Sequence, residues 1–123
     1  AKNISTGKPI DVFNKGNHFR SFTYIDDVIF NLERLINFKS NKSFAKVVSI
    51  GNPRSVNLMY YISLIEKMIN KKSIKKMLPK QKGDVQKSVN NKVREKRFYG
   101  FKYKISIEQG VKNFFEWYDK KEI

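Results

Sequence analysis

Residues 19–38 read FRSFTYIDDVIFNLERLINF. The periodicity changes in the middle of this stretch. Phe19 to Tyr24 is rich in β-formers and predicts a strand. Ile25, Val28, Ile29, Leu32, Leu35 and Ile36 then recur at the spacing of one helix face, which predicts an amphipathic α-helix over about 25–38. Thr23-x-x-Asp26 has the form of a capping box at the junction. Asp26 and Asp27 both fall in the first turn, where the helix dipole favours negative charge. Adjacent helical residues point about 100° apart, so capping is the preferred reading over a paired-carboxylate site. A strand that feeds a helix is an α/β signature, and the flanking segments repeat it.

Upstream, AKNISTGK (1–8) has the form of a helix end with Gly7 at C′, so the chain is expected to begin inside an element. PIDVFN (9–14) alternates and predicts another strand. Gly16-Asn17 signals a turn, and the two strands are expected to form a hairpin. Downstream, a polar loop at 38–43 precedes VVSI (47–50), a predicted buried strand closed by Gly51-Asn52-Pro53. Asn57 is placed to cap a helix bearing Leu58, Tyr61, Ile62, Ile65 and Met68 or Ile69, ending near Asn70. Ile74 to Leu78 predicts a short strand that Pro79 stops, followed by a polar loop over 79–90 around Gly83-Asp84. Asn91 is placed to cap a short helix to about Phe98, which Tyr99-Gly100 ends. Ser106-x-x-Gln109 is a second capping box, opening a helix with Ile107, Val111, Phe114, Phe115 and Tyr118 on one face. Gly110 inside that helix costs about 1 kcal/mol relative to alanine, which points to close packing there. Tyr60-Tyr61, Phe114-Phe115 and Trp117-Tyr118 are assigned to the core. The expected fold is α/β, α+β-like in its segregation, with short strands, a hairpin and three to four helices in one unit over 1–123.

Composition narrows the function classes. The chain has 123 residues, no cysteine and one histidine. That excludes a disulfide scaffold, a thiolate metal site and a cysteine nucleophile, and leaves almost no material for a histidine-based triad. A hydrophobic content of 40% with 14% aromatic suits a packed core rather than a disordered basic tail. No apolar run approaches a membrane span and no signal peptide opens the chain, so a cytoplasmic setting is expected. The net charge of +15 comes from 21 Lys against 5 Arg, alongside 12 Asn and 13 Ile. Lys, Asn and Ile all have A/T-rich codons, so compositional drift explains much of the charge. Residues 71–104 are nevertheless a local excess, with 13 basic and 2 acidic side chains. Solvated surface lysines are the first reading of that block. A site for an anionic small molecule is the second. Nucleic acid is the third, because base readers lean on arginine.

Among single residues, His18 reads as an ordinary surface or loop histidine. Arg20 stands out as an isolated arginine on a strand beside a turn, where a fixed guanidinium can grip a phosphate bidentately. In Gln81-x-Gly83-Asp84 the glycine allows close backbone approach, and the carboxylate beside it can accept both hydroxyls of a ribose. The plain alternative for Gly83-Asp84 is a turn. The chain has no Gly-x-x-Gly-x-x-Gly turn, no Walker-type loop and no Tyr-x-x-x-Lys pair.

Seven stretches in order resemble the C-terminal part of the extended short-chain dehydrogenase/reductase family, among its nucleotide-sugar 4-epimerases and especially those acting on UDP-glucuronate. They are GKPIDVFN (7–14), FRSFTYIDDV (19–28), SIGN (49–52), LMYYISLIEK (58–67), MLPKQKGDV (77–85), YGF (99–101) and SIEQGVKNFFEWY (106–118). The resemblance implies a longer enzyme whose Rossmann domain binds NAD and supplies the catalytic tyrosine and lysine. This chain matches only the region that binds the UDP-sugar, so it is expected to lack catalytic residues and to be inactive alone. The resemblance places the backbone of Asp11 to Phe13 against the uracil, with Phe13 near the base. It places Arg20 on the diphosphate, Asp84 on the ribose hydroxyls and Gln81 against the nucleotide. It also implies a role in cell-surface polysaccharide precursor synthesis.

The chain departs from the family pattern at Ser21, where aspartate is usual, at Ser49, where asparagine is usual, and at Lys82, where proline is usual. It departs again at Val89-Asn90-Asn91, which replaces a Tyr-Ala-Asp. The helix over 25–38 and the strand at 47–50 belong largely to the Rossmann side of the family fold. Their apolar faces are therefore expected to lie open here, predicting self-association or a missing Rossmann partner. The alternatives carried forward are a basic nucleic-acid-binding module and a ligand-free structural or oligomerisation remnant.

Overall fold

The computed structural model describes residues 1–39, 47–88 and 97–120. In chain order the elements are helix α1 (Lys2–Ser5), strand β1 (Ile10–Val12), a 3-10 turn (Phe13–Gly16), β2 (Phe19–Arg20), α2 (Ile25–Ile36), β3 (Val56–Asn57), α3 (Leu58–Ile69), β4 (Lys75–Met77) and α4 (Ile107–Asp119). The α/β reading is correct, but the strands are shorter than the sequence implies: the one expected over 19–24 is Phe19–Arg20 alone. Their pairing differs from expectation. β1 runs parallel to β4, with Asp11 opposite Lys76. β2 runs antiparallel to β3, with Arg20 opposite Val56. The hairpin of the first two strands is not formed. Asn14 and Lys15 both take positive φ, 51° and 50°, in the 3-10 turn. That turn uses up the connection and leaves β1 free for the later strand β4. The predicted strand at 9–14 accordingly shortens to three residues.

α1 ends as its sequence predicts. Gly7 has φ of 72°, and the amides of Gly7 and Lys8 close back on Ile4 and Asn3. The strand expected at 47–50 is absent: the segment joins no ladder among the described residues, and Val47 is 88% exposed. Asn91, the predicted cap near 91, and Val89-Asn90-Asn91 lie outside the described residues. The helical turn at 97–99 ends at Gly100, which has φ of 65°.

Helix α2 forms where the period predicts, over Ile25–Ile36. Its N-cap is Tyr24, with no side-chain cap bond. Thr23 does not close a capping box, because its hydroxyl accepts from the Asn52 amide at 2.9 Å. The buried residues of the helix are Asp27 and Asn31. Asp27 Oδ1 accepts from the Lys104 amide at 3.0 Å, and Oδ2 from the Ile105 amide at 3.1 Å. Asn31 accepts from the Lys102 amide and donates to the Lys102 carbonyl, both at 2.8 Å. The chain at 101–105 has no strand partner among the described residues, so its partly buried backbone groups bond polar side chains instead. The polar edge of α2 therefore turns inward. Ile25, Ile29, Leu32 and Ile36 stay exposed, Ile36 by 74%. The open apolar face and the first-turn placement of Asp26 and Asp27 were expected; the bonds of Asp27 to the Lys104 and Ile105 amides were not.

α3 and α4 make the main helix pair. Asn57 caps α3 as predicted, accepting from the amides of Met59 and Tyr60, and Asn70 ends it in the left-handed region. Ser106 caps α4 through the Gln109 amide at 3.2 Å. The Gln109 side chain bonds Asn113 instead of returning, so only half of the box is made. Gly110 is needed for packing, since a Cβ there stands 3.3 Å from the Tyr24 ring. The core is Ile4, Val12, Ile62, Tyr99, Phe101, Val111 and Phe115. Of the aromatic pairs assigned to it, one member of each faces in. Tyr61 stacks on Phe22, with ring centres 4.3 Å apart, while Tyr60, Phe114 and Trp117 are exposed. Glu66 ties the end of α3 to β4. It is buried and accepts from the Lys75 ammonium, the Ser73 hydroxyl and amide, and Lys72.

Two outcomes follow from these clasps. Asn31→Ala strips the partly buried Lys102 amide and carbonyl of their partners, and urea unfolding should show a loss of about 1–3 kcal/mol. The Lys75 ammonium, helped by Ser73, holds the Glu66 carboxyl down to about 2 from its ordinary 4.5. A lowered carboxylate stabilises above its unfolded value and loses that contribution as pH falls through the folded one. Thermal melts should therefore weaken between about pH 4.5 and 2, and Glu66→Gln should remove that part of the pH dependence.

Candidate functional site

Strand β2 is the scaffold of the site. The Leu58 amide donates to the His18 carbonyl at 2.8 Å, which fixes one side of the strand. On the other side the Phe19 amide donates to the Gln86 carbonyl at 2.9 Å, and the Ser88 amide to the Phe19 carbonyl at 3.0 Å. The loop after β4 is thus stitched to β2 by its backbone. Gly83 supplies the positive φ of 83° that its turn requires, and a Cβ there meets nothing within 4 Å. The space beside Gly83 is open, as a position facing a ligand requires.

The two sequence candidates Arg20 and Asp84 meet here. Arg20 Nη2 donates to Asp84 Oδ1 at 2.7 Å, and Nη1 donates to the carbonyls of Phe19 at 3.1 Å and Gln86 at 3.3 Å. Both side chains are a little over one quarter exposed. The guanidinium is held by three acceptors on one side and still reaches solvent. His18 joins them: its Nε2 lies 3.2 Å from Asp84 Oδ2. The surface-histidine reading is overturned, since His18 is 4% exposed. The strand-turn context that places Arg20 also buries its neighbour two residues back, because β3 and the 84–88 segment cover β2 from both sides. A lone histidine in a sequence gives no sign of a carboxylate 66 positions away.

The other candidates are near in the chain but not in these bonds. Asp11 is exposed in β1, and Phe13 is half-buried at the start of the 3-10 turn. The turn is joined to the end of β4, where the Leu78 amide donates to the Val12 carbonyl at 2.9 Å, and that strand leads into the Gly83 loop. Gln81 is exposed, and its carbonyl accepts from the Asp84 amide at 3.2 Å. Of the basic block, Lys71 donates to the Ser5 carbonyl, and Lys72 and Lys75 pair with Glu66. Lys76, Lys80, Lys82 and Lys87 stay exposed on and after β4. Ser21, where the family usually has aspartate, donates to the Asn52 carbonyl. A separate apolar cleft of about 250 Å³ lies between Phe22, Tyr24, Tyr61, Ile105 and α4, on residues other than Arg20 and Asp84.

Comparison with known proteins agrees with this fold. No model of a protein family matches the chain. A probable UDP-glucuronate 4-epimerase of Rhizobium meliloti is 33% identical over 133 residues, covering 95% of this chain and 39% of that protein. An uncharacterised protein of Methanocaldococcus jannaschii is 44% identical over 119 residues, 96% of this chain and 35% of that one. The structure of UDP-glucuronic acid 4-epimerase from Bacillus cereus, in complex with UDP-glucuronic acid and NAD, superposes with a TM-score of 0.85 at 24% identity. It covers 97% of this chain and 38% of that one. The UDP-glucose 4-epimerase of Thermotoga maritima with UDP-glucose gives 0.80 at 26% identity, over 99% of this chain and 38% of that one. The chain is homologous to the C-terminal part of extended short-chain dehydrogenase/reductase epimerases. It spans between 35% and 39% of the length of those two curated relatives.

Arg20→Ala leaves Asp84 without its cationic partner and unfastens the loop from β2. Hydrogen exchange should quicken at the Phe19 and Ser88 amides by about tenfold, while α3 and α4 keep their protection.

Proposed function

We propose that this chain is the UDP-sugar-binding part of an NAD-dependent sugar 4-epimerase, with UDP-glucuronate as the favoured nucleotide sugar. The observation that carries the reading is the meeting of Arg20 and Asp84 across 64 residues of sequence, on a loop and strand stitched together by backbone bonds. A planar guanidinium matches the oxygens of a diphosphate, and a carboxylate accepts from the paired hydroxyls of a ribose. In this reading Arg20 holds the diphosphate and Asp84 the ribose. The backbone of Asp11 to Phe13 meets the uracil, Phe13 lies near the base, and Gln81 lies against the nucleotide. The relatives and the ligand-bound structures support it. A role in making cell-surface polysaccharide precursors, in the cytoplasm, belongs to the same proposal.

The residues of this chain do not fit a dinucleotide. Its glycines lack the Gly-x-Gly-x-x-Gly spacing that cradles a pyrophosphate, and it has no Tyr-x-x-x-Lys pair. NAD and the redox chemistry are therefore assigned to the remainder of a longer enzyme, and no chemical step is assigned here. The open apolar face of α2 is assigned to the same remainder. When that partner is missing, Ile25, Ile29, Leu32 and Ile36 drive self-association.

Calorimetric titration tests the site. UDP should bind saturably, and Arg20→Ala should weaken binding at least about tenfold. No binding at millimolar UDP by a folded chain, or equal binding by the variant, overturns the site. Sedimentation tests the face: the chain should sediment as a multimer and the Ile29→Glu/Leu32→Glu variant as a monomer. A monomeric parent chain overturns self-association.

A further inference from the structure

His18 is the one residue of the cluster that the proposed nucleotide contacts leave without a task. It is 4% exposed, and Nε2 is buried with no hydrogen-bond partner among the described residues. The atom is nevertheless 3.2 Å from Asp84 Oδ2, close enough to donate but out of line with it. Buried polar atoms are almost always satisfied, so one left open beside a carboxylate marks a bond awaiting a small rotation. The other oxygen of the same carboxylate, Oδ1, is held by Arg20 at 2.7 Å. Asp84 sits on a loop and is a quarter exposed, so it can turn; His18 is packed and cannot.

We propose that His18 is a positioning residue for the nucleotide site, whose Nε2–H closes on Asp84 Oδ2 when a nucleoside diphosphate is bound. With Arg20 on one oxygen and His18 on the other, the carboxylate is fixed in one plane. Each oxygen keeps a lone pair free, and the pair is then presented edge-on to the two ribose hydroxyls. Arg20 alone leaves Asp84 free to swing about its Oδ1 bond. The inference rests on the UDP-site reading above, and it predicts that His18 serves the ribose and not the phosphates.

The chain has a single histidine, so nitrogen-15 spectra of the ring need no assignment. Adding UDP to the 123-residue chain should shift the imidazole resonances in the pattern of an Nε2–H donor, and Asp84→Asn should abolish that response. In calorimetry, His18→Leu should weaken UDP about tenfold and leave inorganic pyrophosphate unchanged. His18→Gln, whose amide can also donate, should restore most of the UDP affinity and covers the case in which the leucine variant fails to fold. UDP binding that leaves the ring resonances still, or that neither variant alters, overturns this inference alone. An equal loss of UDP and pyrophosphate also overturns it, since that marks a structural role. No UDP binding by the parent chain overturns the site reading and this inference together.

Discussion

The backbone at 102–105, held by partly buried side-chain bonds, constrains the rest of the molecule. Among the described residues, three amides and a carbonyl there have no strand to pair with, and Asp27 and Asn31 of α2 bond them. A buried backbone group without a partner is costly, so the helix must turn its polar edge inward. Everything that follows α2 or precedes it inherits that choice. The apolar stripe is driven outward. The start of the helix is fixed against α4, where Gly110 accepts the Tyr24 ring. β2 lies a few residues before α2, so Arg20 is held at a set distance from the same anchor. Thr23 and Ser21 add further ties, both to Asn52.

The site uses a second kind of constraint, between segments far apart in sequence. Arg20 and Asp84 are brought together by backbone bonds from Phe19 to the 86–88 segment, and the Arg20 bonds to Asp84 and the Gln86 carbonyl fasten the same loop. The pair is partly exposed, so its net ionic contribution to stability is small. Its value is geometric: it aims a guanidinium and a carboxylate at one place. The lysine excess divides accordingly. Lys71, Lys72 and Lys75 fasten α1 and α3 to the region around β4. Lys76, Lys80, Lys82 and Lys87 surround the loop and raise its attraction for an anion.

What could be read from the sequence was local. The caps at Asn57 and Ser106, the glycine stop at Gly7 and the strand halted by Pro79 are each set by neighbours within a few residues, and they formed as read. Arg20 and Asp84 were legible as residue types suited to a nucleotide, and the ordered resemblance gave their roles. Strand pairing was not legible, because the positive φ of Asn14 and Lys15 leaves no mark that distinguishes a hairpin from a crossover. The open apolar face of α2 was expected from the ordered resemblance, and the structure leaves Ile25, Ile29, Leu32 and Ile36 exposed. Hydrophobic period identifies an amphipathic helix but does not say which buried polar contacts its other side makes, so the bonds of Asp27 and Asn31 to residues more than 70 positions away were not legible. His18 was missed because its burial depends on β3 and the 84–88 segment, both distant in sequence.

Where a nucleotide sits decides what Arg20 and Asp84 are for. A crystal structure of the chain soaked with UDP is the most direct measurement. It should show diphosphate oxygens within hydrogen-bond distance of the Arg20 guanidinium and the ribose hydroxyls on the Asp84 carboxylate. UDP seated elsewhere, in the apolar cleft beside Tyr24 and Tyr61 for example, with neither Arg20 nor Asp84 touching it, would contradict it.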